Sequence, residues 1–337
     1  MASRFQQFGN DLFTGARSVE FIGRRKLWLG IAAVVMVICI VIPFVRGFNW
    51  GIDFTGGSQF QISRSASIDQ NTAVDAVHQV KSDAVVQVSV VNGNGLRITT
   101  DQLTTGETKQ VTNNLAAAFD VKADDITSSF IGPAWGADVS RKALQGLGVF
   151  LILAFIGMAL YFRTWKMSLS AIIKLCHDLV FTVGVYAATG FEITPATVIG
   201  FLTILGYALY DTVVVFDKIR ENTTEDKDKL ARTFGESANL AVNQTLVRSI
   251  NTAVIAALPV AGILFIGAFA LGAATLEDIS LSLFVGILIA TYSTVFVASP
   301  LYVWLREGEP EIAKHDRRVL AARAKAPLDT EVVAATR

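Results

Sequence analysis

The stretch PATVIGFLTILGYALYDTVVV, residues 195–215, decides the fold. It is long enough to cross about 30 Å of hydrocarbon at about 1.5 Å per residue, and its one acidic or basic residue is Asp211. Thr194 and Pro195 supply an N-cap and a first-turn proline, so a helix has a defined start there. Working outward, five more apolar runs, 27–45, 143–162, 169–190, 252–274 and 279–305, predict a polytopic α-helical membrane protein with six transmembrane helices. Composition agrees: 52% of the residues are hydrophobic and 17% charged, below the roughly one quarter usual for soluble domains. The net charge of +0 lacks the basic surplus that displaces counterions from phosphates, so no nucleic-acid partner is expected. Cys39 and Cys176 each lie inside an apolar run and read as buried small hydrophobes, not as a disulfide or a metal site, and no cofactor is implied.

Orientation follows from where lysine and arginine gather beside the spans. Arg4, Arg17, Arg24, Arg25 and Lys26 precede the first span; Arg163 and Lys166 join the second to the third; Lys218 to Arg248 joins the fourth to the fifth; Arg317, Arg318, Arg323 and Lys325 follow the sixth. The opposite loops carry Glu192, and Glu277 with Asp278. Both termini are therefore expected in the cytoplasm, with tails 1–26 and 307–337, the latter read as mobile or weakly helical. The first span follows basic residues as a signal peptide would, but its length and the absence of a small-residue cleavage pattern after Val45 predict a retained helix.

Residues 48–141, between the first span and helices 2–6 at 142–306, form the one external segment long enough to fold by itself. Residues 57–63 alternate as a strand, and Ile68, Val74, Val77 and Val80 fit a helix with Asp69 in its first turn. Residues 85–91 and 96–100 flank Asn92-Gly93-Asn94-Gly95, a hairpin turn by its tolerance of positive φ. A helix at 108–119 and a strand at 126–131 complete a β-α-β-β-α-β order, which predicts an extracytoplasmic ferredoxin-like domain. It holds no catalytic carboxylate pair, nucleophile elbow or metal spacing, so a binding or lever role is expected and not an enzyme.

Ionisable groups within the spans carry the functional argument, because a charge at a helix centre costs about 2.5–3.5 kcal/mol even on insertion scales. Lys174 and Asp178 stand four residues apart on one helix face and can neutralise each other. His177 beside them is either a proton relay or a histidine bonded to a neighbouring helix. Asp211 has no basic residue three or four positions away within its span, so it must be protonated, hydrated or paired across helices. Arg248, at the start of the fifth span, is either its partner or an ordinary positive-inside anchor. Pro259 interrupts the fifth span, freeing a carbonyl and permitting a bend.

The run GYALYDTVVVFDKIREN, from Gly206 to Asn222, resembles the fourth-span signature of the SecD/SecF family of protein-export membrane proteins, on its SecF side. GIDFTGG at 51–57, His177-Asp178, NQTLVRS at 243–249, Val198-Ile199-Gly200 and Ile131-Gly132-Pro133 agree in order, so the resemblance covers nearly all of 27–305. It implies half of a resistance-nodulation-division (RND) type transporter in the bacterial cytoplasmic (inner) membrane. Its implied partners are SecD as a separate chain, the SecYEG channel, indirectly the SecA motor, the translocating preprotein and the lipid bilayer, with protons as coupling ion. By motif position, Asp211 and Arg248 match the proton-pathway acid and its basic companion, and Gly56 and Gly57 match the turn that joins the first span to the external domain. Gly206, Asp217, Arg220 and Asn243 stand at family positions. Lys174 departs from the small or apolar residue expected there. Three other classes remain: a non-transporting scaffold of the translocon, an RND-type small-molecule proton antiporter, and an intramembrane aspartyl protease, which lacks its second Gly-x-Gly-Asp motif here.

Overall fold

Helix α8 (Pro195–Lys229) begins where Thr194, in extended backbone, accepts the Thr197 N–H at 3.2 Å and Pro195 takes the first helical position. The computed structural model describes residues 4–62, 69–91, 95–162, 164–270 and 274–325. Six helices are long and apolar enough to cross a membrane. Their α-helical cores are α2 (Arg25–Arg46), α6 (Pro133–Phe162), α7 (Trp165–Thr189), α8 (Pro195–Lys229), α9 (Phe234–Gly262) and α10 (Ala274–Ser293). The chain is a multi-pass membrane protein. Helices α7, α8 and α10 form the packed interior, while α2, α6 and α9 turn most of their apolar surface outward, as a lipid-facing helix does.

Pro259 lies inside α9, and four residues beyond it the helix widens into a π-helical run, Ile263–Ala270, so the helix continues past the proline with a change of gauge. Helix α10 likewise passes through a π run, Thr294–Ala298, into α11 (Ser299–Arg306). Cys39 is buried, but Cys176 is exposed, because helical phase turns it away from the face that carries Lys174 and Asp178.

Between α2 and α6 the chain makes α3 (Ile52–Thr55), β1 (Gly57–Ile62), α4 (Gln70–His78), β2 (Val86–Val91), β3 (Gly95–Thr100), α5 (Thr105–Phe119) and β4 (Ile126–Ile131). All strand pairs are antiparallel, in the order β2-β3-β1-β4. Phe60 stands opposite Ile98, and with Ile62, Leu96, Val111 and Leu115 they bury one sheet face under α4 and α5. Gln59, Gln61 and Arg97 fall on the other face by the two-residue period. Asp69 is an N-cap outside α4, accepting the Asn71 N–H at 3.0 Å, and Thr104 with Glu107 closes a capping box on α5. Ser63, Ile68 and the Asn92-Gly93-Asn94 turn lie outside the described residues.

The domain is tied to the helices at several points. Gly51 N donates to Ile193 O at 2.9 Å and Ile193 N to Asn49 O at 2.8 Å. Gly56 ends α3 at φ 75°, and Gly57 enters β1 at φ 131°, where a Cβ would run into the Thr100 carbonyl. At the far end of the bundle, the described residues of both tails include a helix. Helix α1 (Arg4–Thr14) packs on α9, and helix α12 (Pro310–Lys325) is held by Asp316 Oδ1 on Phe234 N at 2.8 Å and by Arg323 on Glu236. The expected weakly helical carboxy-terminal extension is thus a docked helix through Lys325.

Candidate functional site in the helix bundle

Helical phase brings three acids and bases of α7 into the interior. Lys174 Nζ lies 2.8 Å from Asp178 Oδ2, and His177 Nδ1 lies 3.2 Å from Asp178 Oδ1. All three are buried, Lys174 completely. Lys174 Nζ also donates to the Ala208 carbonyl of α8 at 3.2 Å, and Thr212 Oγ1 donates to the same carbonyl at 2.7 Å. One backbone oxygen therefore links the charged pair of α7 to the turn of α8 that carries Asp211. The His177 ring packs at 6.2 Å from Tyr292 of α10, and its Nε2 has no hydrogen-bond partner among the described residues.

Asp211 is 5% exposed. Its Oδ1 accepts a 2.8 Å hydrogen bond from Ser249 Oγ of α9, while Oδ2 has no hydrogen-bond partner among the described residues. Arg248 does not make the pairing proposed for it: its side chain is on the exposed surface of α9. The reason is register. Helix α9 starts at the Thr233–Glu236 capping box, well before the apolar run, and from there Ala241, Thr245, Ser249 and Ala253 recur every four residues on the buried face. Arg248 is one step off that face. Counting helical phase from the capping box would have selected Ser249.

The family-position residues separate into two groups. Gly206, Asp217 and Arg220 lie on the exposed side of α8, together with Tyr210 at 57% exposure, so this face is open to a neighbour or to lipid. Asn243 is buried and holds the amino-terminal tail: its Oδ1 accepts the Val19 N–H at 2.8 Å and its Nδ2 donates to Val19 O at 3.0 Å. Asn239, a turn earlier, accepts both the Phe21 and Ile22 N–H groups. Satisfying these buried backbone groups is a structural duty that spacing did not reveal.

At the domain end of the bundle, Arg97 of β3 forms an ion pair with Glu192 of the α7–α8 loop, and Asp278 of α10 lies 3.9 Å from the same guanidinium nitrogen. Burial works against this charge, but Glu192 and Asp278 outweigh it and hold the guanidinium above its ordinary value. A cavity of about 350 Å³, lined by Gln59, Gln61, Arg97, Glu192, Thr194 and Asp278 among others, opens between sheet and helices here.

The family model for the protein export membrane protein SecD/SecF C-terminal region matches residues 110–308, and that for the SecD/SecF GG motif matches 41–67, which include Gly56 and Gly57. Protein translocase subunit SecF of Streptomyces coelicolor is 45% identical over 325 residues, 96% of this chain and 86% of that protein. SecF of Mycobacterium tuberculosis is 40% identical over 94% of this chain and 73% of its own length. The crystal structure of SecDF from Thermus thermophilus, a translocon-associated membrane protein, superposes with a TM-score of 0.73 at 27% identity. That match covers 86% of this chain but only 39% of the SecDF chain.

Proposed function

The chain belongs to the SecD/SecF family of protein-export membrane proteins on its SecF side, and from that premise we propose that it is the subunit that couples proton entry to preprotein export. The observation that carries this reading is Asp211: a carboxyl buried in a membrane helix whose hydrogen-bond partner among the described residues is a neutral hydroxyl, Ser249. With no ion-pair partner among the described residues, its charge depends on what adjoining helices and water supply, which is what a proton-coupled switch needs.

The exposed side of α8 with Gly206 and Tyr210, and the outward Arg248 of α9, are the surfaces for a SecD-type partner. The fused SecDF relative, of which this chain matches about two fifths, supports a pseudo-symmetric assembly completed by a second, separate half. In that assembly the outward Arg248 meets the SecD-type partner across the subunit boundary, and the RND-type half works with SecYEG downstream of SecA in the bacterial inner membrane. Basic residues at the α1 and α12 end favour a cytoplasmic position for both tails. The α/β domain, with its split β-α-β order, is then the extracytoplasmic ferredoxin-like lever. Each charge crossing about 100 mV supplies about 2.3 kcal/mol, enough to bias a two-state tilt of that domain.

The test is export of a secreted preprotein in cells depleted of their own SecF-type subunit and supplied with this chain. The Asp211→Asn chain is expected to insert normally and fail to restore export; export at the unsubstituted level would sink the reading.

A further inference from the structure

Lys174, Asp178, Thr182 and Tyr186 recur every fourth residue on α7, and each is 3% exposed or less. A polar stripe along the buried face of a membrane helix is costly unless it is satisfied or used. This one is only partly satisfied: the Tyr186 hydroxyl is buried and completes no well-aligned hydrogen bond, although Thr197 of α8 and Ser282 of α10 lie within its reach. Gly200 of α8 lets α10 approach so closely that a Cβ there would collide with Ser282.

The upper end of the stripe is continuous with the polar cavity. Thr197 Oγ1 lies 3.2 Å from Thr194 Oγ1, which donates to Asp278 Oδ2 at 3.0 Å, and Asp278 lines the cavity with Arg97 and Glu192. Below Tyr186, one turn of about 6 Å leads to Thr182, whose hydroxyl donates to Asp178 O at 2.7 Å. Beside them a cavity of about 10 Å³, lined by Asp178, Thr182, Phe201, Ile204, Gly286 and Ala290 among others, matches the room for a single water.

We propose that this stripe is a proton conduit within the chain, running from the cavity at the α/β domain through Tyr186, Thr182 and one water to the carboxylate of Asp178. The inference rests on the proton-coupled reading above but names a route that does not pass through the exposed α8 face. Each hydroxyl accepts a proton on a lone pair and releases its own to the next group; Thr182 does so by turning its hydroxyl from the Asp178 backbone carbonyl to the water, so no atom other than hydrogen is transferred. Arrival of the proton neutralises Asp178 and breaks its ion pair; the Lys174 ammonium keeps the Ala208 carbonyl, which also receives Thr212 beside Asp211. Among the described residues, Lys174 and His177 of its own helix contact Asp178, while Cys176 of that helix, Tyr292 of α10 and Ala208 of α8 stand near it. Occupancy at Asp178 is thereby transmitted to the Asp211 turn through one backbone oxygen.

The experiment measures proton uptake into proteoliposomes containing the full chain with its SecD-type partner, under an imposed pH gradient. Thr182→Val keeps shape and removes the hydroxyl; Thr182→Ser keeps the hydroxyl and removes a methyl. The conduit predicts that Thr182→Val and Tyr186→Phe each lower the flux about tenfold or more and that Thr182→Ser restores it. Flux lost with Thr182→Ser but kept with Thr182→Val would assign the position to packing and overturn the proposal. Unchanged flux in both Thr182→Val and Tyr186→Phe, with flux abolished by Asp211→Asn, overturns the conduit and leaves the parent reading standing. Flux blocked by Thr182→Val yet untouched by Asp211→Asn keeps the conduit and overturns the role of Asp211. No flux through the unsubstituted complex overturns both.

Discussion

Arg97 of β3 and Glu192 of the α7–α8 loop form an ion pair with only 7% and 6% of their side-chain surfaces exposed, and it joins the α/β domain to the membrane helices. Removing the guanidinium leaves Glu192 and Asp278 without their shared cation, a loss typically worth about 3–5 kcal/mol for a buried pair. Arg97→Met is therefore expected to release the domain from the bundle, while Arg97→Met with Glu192→Met recovers part of the loss. Hydrogen exchange at β3 and at residues 190–194 reads this directly; protection equal to that of the unsubstituted chain would show that the pair does not hold the seam.

Asn239 and Asn243 clamp residues 18–22 by accepting three backbone N–H groups. Asn239→Ala orphans two of them, at about 1–3 kcal/mol per unsatisfied buried group. The expected result is a tail that trypsin cuts at Arg17 or Arg24 in the substituted chain and spares in the original. Equal resistance of the two chains would place the hold on the tail elsewhere.

The Arg248 side chain is exposed, so Arg248→Ala is expected to change the stability of the isolated subunit by no more than about 0.5 kcal/mol. Its effect should appear on association with the SecD-type partner and on export. A large loss of subunit stability with unchanged association would contradict its placement at a subunit boundary.

The caps of the α/β domain give a pH dependence with a definite sign. Asp69 is held below the usual carboxylate range by the Thr72 hydroxyl first and the Asn71 N–H second. Glu107 is likewise held below its ordinary value by the Thr104 N–H and then its hydroxyl. Because both folded values are depressed, the caps contribute fully above the unfolded values and the contribution is lost as pH falls through the folded ones. Exchange at the first turns of α4 and α5 should rise below about pH 4, and Asp69→Asn should flatten that rise at α4. A pH-independent α4 terminus in the unsubstituted chain would refute the assignment.

Much of this architecture was legible in the sequence because the signals were local. Apolar runs of membrane-spanning length, the Thr194-Pro195 start and the two-residue alternation of 57–63 and 96–100 each depend on neighbouring residues only. The Lys174–Asp178 pair was readable for the same reason, being four residues apart on one helix. What was not legible depends on distant partners. Ser249 reaches Asp211 only because α9 begins at Thr233, outside the apolar run from which the span was counted. Arg97 meets Glu192 and Asp278 only because the fold lays β3 over the α7–α8 loop and the start of α10. Asn243 stood in a motif that suggested function, and its observed contacts are those of a tail clamp.

The central claim, that Asp211 is where this subunit meets the proton, is tested most directly by proton flux through the reconstituted complex with Asp211→Asn, under an imposed gradient. Asparagine keeps the size and can still accept from Ser249, but it carries no titrating proton. The account predicts a flux lower by about 100-fold or more with the complex still assembled. Flux equal to that of the unsubstituted complex would contradict it.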